Sequence, residues 1–374
     1  MRSIMGMLGW GLIYFAAATC AAQNDASPDK QEPAAWHDPS PHSVQFVTVD
    51  KDVRLEVLDW GGTGRPVVLL SGLGNTAHVF DDFAPKLTAQ YHVYGITRRG
   101  FGASSVPADG YTADRLGDDV LAVLDALKID RPVLVGHSIA GEELSSVGTR
   151  HPERVSALIY LEAYYGYAYY DRSLGWWDID LAALQSKLEQ MTKGSDDPWQ
   201  LGQEVRQNEL PAFERQLREL TKSPLPPNPS PADLVSFQAL GAWFTRTRGI
   251  TFPEAEFREG AVPSRDGKPT QPKTPPSVPQ AIIGGEQKYT NIRVPVLAIC
   301  AIPQDWGPYV DNDPAARALD EAWDKNFAAP QAKAFESGVP SAHVVRLAHA
   351  NHYIFLSNEA DVLREMRAFI SGLP

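Results

Sequence analysis

Residues 134–144, LVGHSIAGEEL, set Ser138 between Gly136 and Ala140, after an apolar run and before an amphipathic stretch. A serine hydroxyl serves as a nucleophile when a sharp strand-to-helix turn thrusts it out. Side chains two positions to either side must then be tiny, because strand and helix pack close. Gly136 and Ala140 meet that need, and Gly141 follows; an ordinary serine at a strand–helix junction is the plainer reading. A nucleophilic serine needs a base. His137 shares the turn and points elsewhere, His151 falls at the far end of the following helix, and His343 falls within a strand pattern. His352, in LAHANHYIFL, follows the last strand and is the chosen base, with His349 as the fallback. The base needs a carboxylate to fix its tautomer and stabilise its cation. Asp305, in LAICAIPQDWGP, lies just past a strand; Glu162, at the end of ALIYLE, is the alternative acid or a structural carboxylate. The developing oxyanion needs two backbone N–H donors. Ile139, after the serine, supplies one, and Leu73, after Gly72 in LLSGLGNTAH, is the expected second.

These residues must share one edge of a sheet. SVQFVTV (43–49) and VRLEVLDW (53–60) alternate apolar and polar, as half-buried antiparallel strands do. PVVLL (66–70), HVYGIT (92–97), PVLV (132–135) and ALIYL (157–161) are short apolar runs separated by helix-length segments. That is the pattern of a mostly parallel sheet with crossover helices. Leu116, Val120, Val123, Leu124 and Leu127 predict one helix, with Thr112 as its cap. The alternation stops after Leu161 and resumes at VPVLAICAI (294–302), followed by a helix from about Pro314, a strand at 341–347 and a final helix. The interval 163–292 holds 14 of the 30 prolines and three amphipathic helix patterns, at 180–191, 211–220 and 230–244. It is expected to be a helical lid inserted into the sheet domain, with 43–162 and 293–374 as the core; an independent second domain is the other reading. The proline-rich stretches 222–231 and 263–279 are expected to be irregular.

A chain of 374 residues that is 43% hydrophobic can bury a large core. Its net charge of −12 argues against nucleic acid or anionic lipid as a partner, leaving a small molecule. Residues 1–22 combine Arg2, an apolar stretch and small residues, the pattern of a cleaved secretory signal and hence a periplasmic or secreted location with no span thereafter. A retained anchor or a lipid attached at Cys20 are the alternatives. Residues 23–42 read as a linker. With the signal removed, Cys300 is alone, a small buried hydrophobe unable to form an internal disulfide. No spacing presents a zinc ligand set, the DNDP at 311–314 lacks the glycine of a calcium loop, and no cofactor is expected.

GHSIAG, SGLG, TRRGFGASS (97–105) and ANHYIF resemble the capped α/β-hydrolase superfamily, in the branch of carboxylesterases and epoxide hydrolases, over about 43–372. The resemblance implies an α/β-hydrolase fold with a lid and a Ser138–Asp305–His352 triad. The family's aspartate before the RGFG turn is Thr97 here, and its His-Gly oxyanion loop begins Ser71-Gly72. Epoxide hydrolases and haloalkane dehalogenases carry aspartate at the elbow, so Ser138 argues for an esterase-like serine hydrolase. The aromatic-rich YYGYAYYDRSLGWW (164–177) is either lid core or an apolar wall for the substrate. Two other classes compete. Gly72-x-Gly74-x-x-Ala77 with TRRG some way on resembles an NADP-binding Rossmann unit, though no Tyr-x-x-x-Lys pair occurs. A hydrolase-like receptor without turnover is the third.

Overall fold

The computed structural model describes residues 36–193, 197–211, 213, 214 and 228–374. The expected signal (1–22), most of the expected linker and most of the helix expected at 211–220 lie outside the described residues. No described helix is long and apolar enough to cross a membrane.

Eight strands form the main sheet: β1 (Ser43–Asp50), β2 (Val53–Gly61), β3 (Arg65–Leu70), β4 (Tyr91–Ile96), β5 (Val133–His137), β6 (Ala157–Leu161), and two later strands, Val296–Ala301 and Ala342–Leu347. Their spatial order is β1, β2, β4, β3, β5, β6, Val296–Ala301, Ala342–Leu347. β1–β2 and β2–β4 pair antiparallel, and every pair beyond is parallel. Every residue of β5 and β6 is buried, because helices cover both faces; this is why those strands read as unbroken apolar runs. Leu134, Tyr160 and Cys300 pack on one face, Val133, Ile159 and Ile299 on the other. The expected helix is Ala113–Leu127, and the Thr112 hydroxyl accepts from the Arg115 N–H at its start.

The interval after β6 holds helices Trp177–Thr192, Pro198–Glu204, Phe237–Arg248, Glu254–Gly260 and Ser277–Ile283. Two expectations are corrected here. The helix expected to run on from Ser230 is split: a short 3-10 turn, Pro231–Leu234, is closed by a reciprocal Ser230–Asp233 capping box, and Ser236 then caps the helix Phe237–Arg248. The stretch 263–279 is not wholly irregular. β7 (Ala261–Pro263) and β8 (Pro269–Pro272) form an antiparallel pair, and Ser277–Ile283 is a helix. A two-stranded ribbon is all edge, where a missing N–H is tolerated. Pro279 sits in a first helical turn, whose N–H groups lack an intrahelical acceptor.

The carboxyl ends of β3, β5, β6 and Val296–Ala301 lie side by side. The backbone is strained there: Ser138 has φ +54° and Glu162 φ +50°. Gly141 opens the helix after Ser138, and a Cβ at that position would lie 2.3 Å from the Ala163 carbonyl oxygen. Gly141→Ala must displace backbone. It is expected to cost about 1–3 kcal/mol, seen as a lower urea midpoint without a change of slope.

Candidate functional site

The sharp turn at Ser138 follows from local packing. β5 ends at His137, a 3-10 turn covers Ser138–Ala140, and the helix Gly141–Arg150 departs at once. A Cβ at Gly136 would meet Leu144 at 2.9 Å and Ala140 Cβ at 3.1 Å, so nothing larger than hydrogen fits. The loop after β3 runs directly against this turn. A Cβ at Gly72 would lie 2.8 Å from His137 Nδ1 and 3.2 Å from Ser138 Cβ. Leu73 and Ile139 are both buried.

The loop is held from both ends. Arg98, in the turn after β4, donates from Nη2 to the Ser71 carbonyl (2.9 Å) and from Nη1 to that of Gly72 (3.4 Å). The same guanidinium makes a two-point pair with Glu143 on the Ser138 helix, both contacts 2.7 Å. Arg98 and Glu143 are both buried. At the other end, the Glu256 carboxylate accepts from Asn75 Nδ2 (2.8 Å), the Thr76 N–H (3.1 Å) and the Thr76 hydroxyl. Asn75 Oδ1 accepts from the Tyr353 hydroxyl at 3.0 Å. Thr97 donates to Glu56 (2.7 Å) and accepts from the Ala77 N–H (3.0 Å), so a carboxylate serves this turn from β2 rather than from position 97.

His352 follows a short strand, Ala350–Asn351, which pairs in parallel with Gln304–Asp305. Asp305 is therefore in register with Asn351, one residue before His352. The structure joins the segment carrying His352 to His137, the residue before the serine. The His137 and His352 ring centres are 4.8 Å apart, and His137 Nε2–H donates to the His352 carbonyl at 3.0 Å. A carbonyl can only accept, which fixes the His137 proton on Nε2. Burial pushes the His137 imidazole down to about 4 despite that bond. Burial, with His137 and Arg248 close by, holds the His352 imidazole well below its ordinary value, so it rests neutral, as a base must.

Among the described residues no hydrogen bond joins the Ser138 hydroxyl, the His352 ring and the Asp305 carboxylate. Asp305 Oδ1 accepts from the Gly307 N–H at 2.7 Å, and its carbonyl accepts from Asn351 Nδ2 at 2.9 Å. Glu162 is turned into the sheet end. Its Oε2 accepts from the Ala301 N–H (2.6 Å) and its Oε1 from the Tyr165 hydroxyl (2.7 Å). His349, the fallback base, has φ +58°, and its N–H donates to Pro303 at 2.7 Å; it lies close enough to Asp324 to favour that carboxylate's charge. The Tyr167 hydroxyl is buried beside Ser138, and burial drives its phenol far up while the serine hydroxyl offsets this. Sequence reasoning missed Arg98–Glu143, Glu256 and the His137 tether; Tyr167 lies in the aromatic segment it had offered as an apolar wall. Arg98 does sit in a stretch singled out as a motif, but the partners lie far along the chain.

Residues 65–224 match the family described as "alpha/beta hydrolase fold". A 3-oxoadipate enol-lactonase of Acinetobacter baylyi is 33% identical over 110 residues, 29% of this chain and 41% of that protein. Epoxide hydrolase A of Mycobacterium tuberculosis is 36% identical over 110 residues, 28% and 34% of the two chains. The match thus spans 34–41% of the length of these curated relatives. Among solved structures, E-2-(acetamidomethylene)succinate hydrolase superposes with TM-score 0.56 at 17% identity, covering 88% of this chain and all (100%) of that one. An esterase from Rhodococcus sp. ECU1013 superposes with TM-score 0.52 at 19% identity, covering 89% and 100%.

Removing the Arg98 guanidinium leaves Glu143 buried and unpaired and frees two loop carbonyls. Arg98→Met is expected to cost about 3–5 kcal/mol in urea unfolding. Burial pushes the Glu162 carboxyl up to about 8, with its two hydrogen bonds opposing and Asp324 adding. A carboxyl raised on folding keeps a proton that the unfolded chain releases. Its contribution is therefore full below about pH 4 and is lost as pH rises toward 8. Glu162→Gln mimics the protonated form. The variant should gain on wild type in unfolding free energy from about pH 5 to pH 8 and level off above; parallel pH profiles would contradict the assignment.

Proposed function

This chain is an alpha/beta hydrolase by fold, and from that premise we propose that it is a serine hydrolase. It cleaves a carboxylic ester, or a related acyl bond, of a small apolar substrate. The observation that carries this reading is Ser138 itself: a hydroxyl on a left-handed, strained turn with the Gly72 backbone packed against it. In the proposed reaction Ser138 Oγ attacks the acyl carbon while His352 takes its proton. The N–H groups of Leu73 and Ile139 receive the oxyanion, and His352 returns the proton to the leaving group. Water, activated by the same histidine, then releases the acid and restores the serine. Asp305 orients the base.

The aromatic segment supports an apolar substrate. Tyr164 and Tyr165 stack at 4.4 Å, and Trp176 meets Tyr167 edge-on at 5.4 Å, beside Ser138. Glu256 and Arg248, both from the interval after β6, lie against the Asn75–Thr76 turn and His352, which supports a lid role for that interval. The NADP reading is disfavoured by its own arginines: Arg98 is consumed by Glu143, and Arg99 is paired with Asp119 at 2.6 Å. A secretory signal at 1–22 remains our reading of the N-terminus, with a periplasmic or secreted location.

A fluorophosphonate probe should label Ser138, and Ser138→Ala should abolish labelling while leaving the fold intact. On nitrophenyl esters of graded chain length, Asp305→Asn should lose roughly 10⁴ in turnover. Glu162→Gln should keep most of it. The reverse ranking would move the acid to Glu162. Stoichiometric NADPH binding without labelling would favour the oxidoreductase, and labelling without turnover the receptor.

A further inference from the structure

Away from Ser138, two imidazoles and two aspartates converge beside β2. Asp38 and His42 belong to the segment that leads into β1; His78 lies in the 3-10 turn Ala77–Phe80, and Asp81 caps it. One ligand atom from each of the four residues lies within 4.8 Å of every other. His78 Nδ1 is 3.0 Å from Asp81 Oδ2 and 3.3 Å from Asp38 Oδ2, and His42 Nε2 is 3.7 Å from Asp38 Oδ2. Four donors at bonds of about 2.0–2.1 Å around a tetrahedral zinc ion stand about 3.3 Å apart. These separations are close to that spacing before any adjustment.

The surroundings are those of a metal site rather than of a chance ion pair. His42 Nδ1 faces Asp81 Oδ1 at 2.9 Å, leaving Nε2 for a metal. Trp60 Nε1 donates to the same Asp81 oxygen at 3.1 Å. His78 Nε2 faces Glu56 Oε1 at 3.6 Å, so the nitrogen not directed at the cluster has a carboxylate behind it. Outer partners of this kind orient ligating imidazoles and raise their basicity. Asp38 Oδ2 is buried and makes no hydrogen bond among the described residues. Two imidazoles with two carboxylates suit zinc or a similar borderline divalent ion, not calcium or magnesium.

We propose that Asp38, His42, His78 and Asp81 form a four-ligand, zinc-type structural site that fastens the segment ahead of β1 to the turn following the Gly72 loop. Four protein ligands close the coordination sphere, so the ion braces and does not catalyse. The sequence shows no ligand spacing because the ligands arrive as two separate pairs. The competing arrangement is direct hydrogen bonding between the two imidazoles and Asp81.

The test uses the full chain, stripped with a chelator and titrated with Co²⁺. One equivalent should give the intense visible bands of tetrahedral cobalt, and Zn²⁺ should abolish them and raise the melting temperature. His42→Ala removes a ligand outright and Asp38→Asn removes a ligand's charge, so each should weaken binding at least about 100-fold. Asp38 is the most exposed of the four, so Asp38→Asn reads the site even if His42→Ala fails to fold; fluorophosphonate labelling of Ser138 reports the fold independently. No stoichiometric cobalt binding, or equal affinity in wild type and Asp38→Asn, would overturn the proposal and leave a proton-bridged cluster.

Discussion

Everything at the candidate site depends on one buried ion pair. Arg98 reaches from the turn after β4 to Glu143 on the Ser138 helix and, with the same guanidinium, to the carbonyls of Ser71 and Gly72. A buried pair is weak evidence for stability, because removing two charges from water offsets most of their attraction. Its value here is geometric. A planar fork with fixed donor directions admits one arrangement of helix, turn and loop. That arrangement sets the Gly72 backbone against Ser138. A lysine could neutralise Glu143 but could not also span both carbonyls.

The fold was largely legible because its rules are local. Strands buried on both faces must be apolar runs, and β5 and β6 are. The helix Ala113–Leu127 announced itself by its stripe and by Thr112. Ser138 was legible for the same reason: a sharp turn admits only tiny neighbours, and a glycine or alanine can be read from a string of letters. Prolines misled the reading at 263–279, where composition suggested irregular chain but edge pairing and a first helical turn accommodate them.

The contacts that arrange the site were not legible. Arg98 and Glu143 are 45 residues apart, and Asn75 and Glu256 are 181 apart. No periodicity links such pairs; only the folded topology does. His137 is instructive in another way. Reading it as pointing away from the serine's chemistry is consistent with its ring, which is neutral and has its Nε2 proton committed to a backbone carbonyl. Yet that bond ties the serine's own turn to the segment that carries His352. A residue can be outside the chemistry and still determine where the chemistry's parts stand.

Glu256 joins two things usually discussed apart. It belongs to a helix inserted between strands, and its carboxylate is the partner of the Asn75 amide and the Thr76 N–H and hydroxyl. Any displacement of that helix strips those three donors of their acceptor and slackens the turn beyond Gly72 and Leu73. Under the proposed lid role, admission to the pocket and readiness of the pocket become a single variable. On that reading, an excursion that widens the entrance would also disarm the site, and the substrate's own binding would have to help restore it.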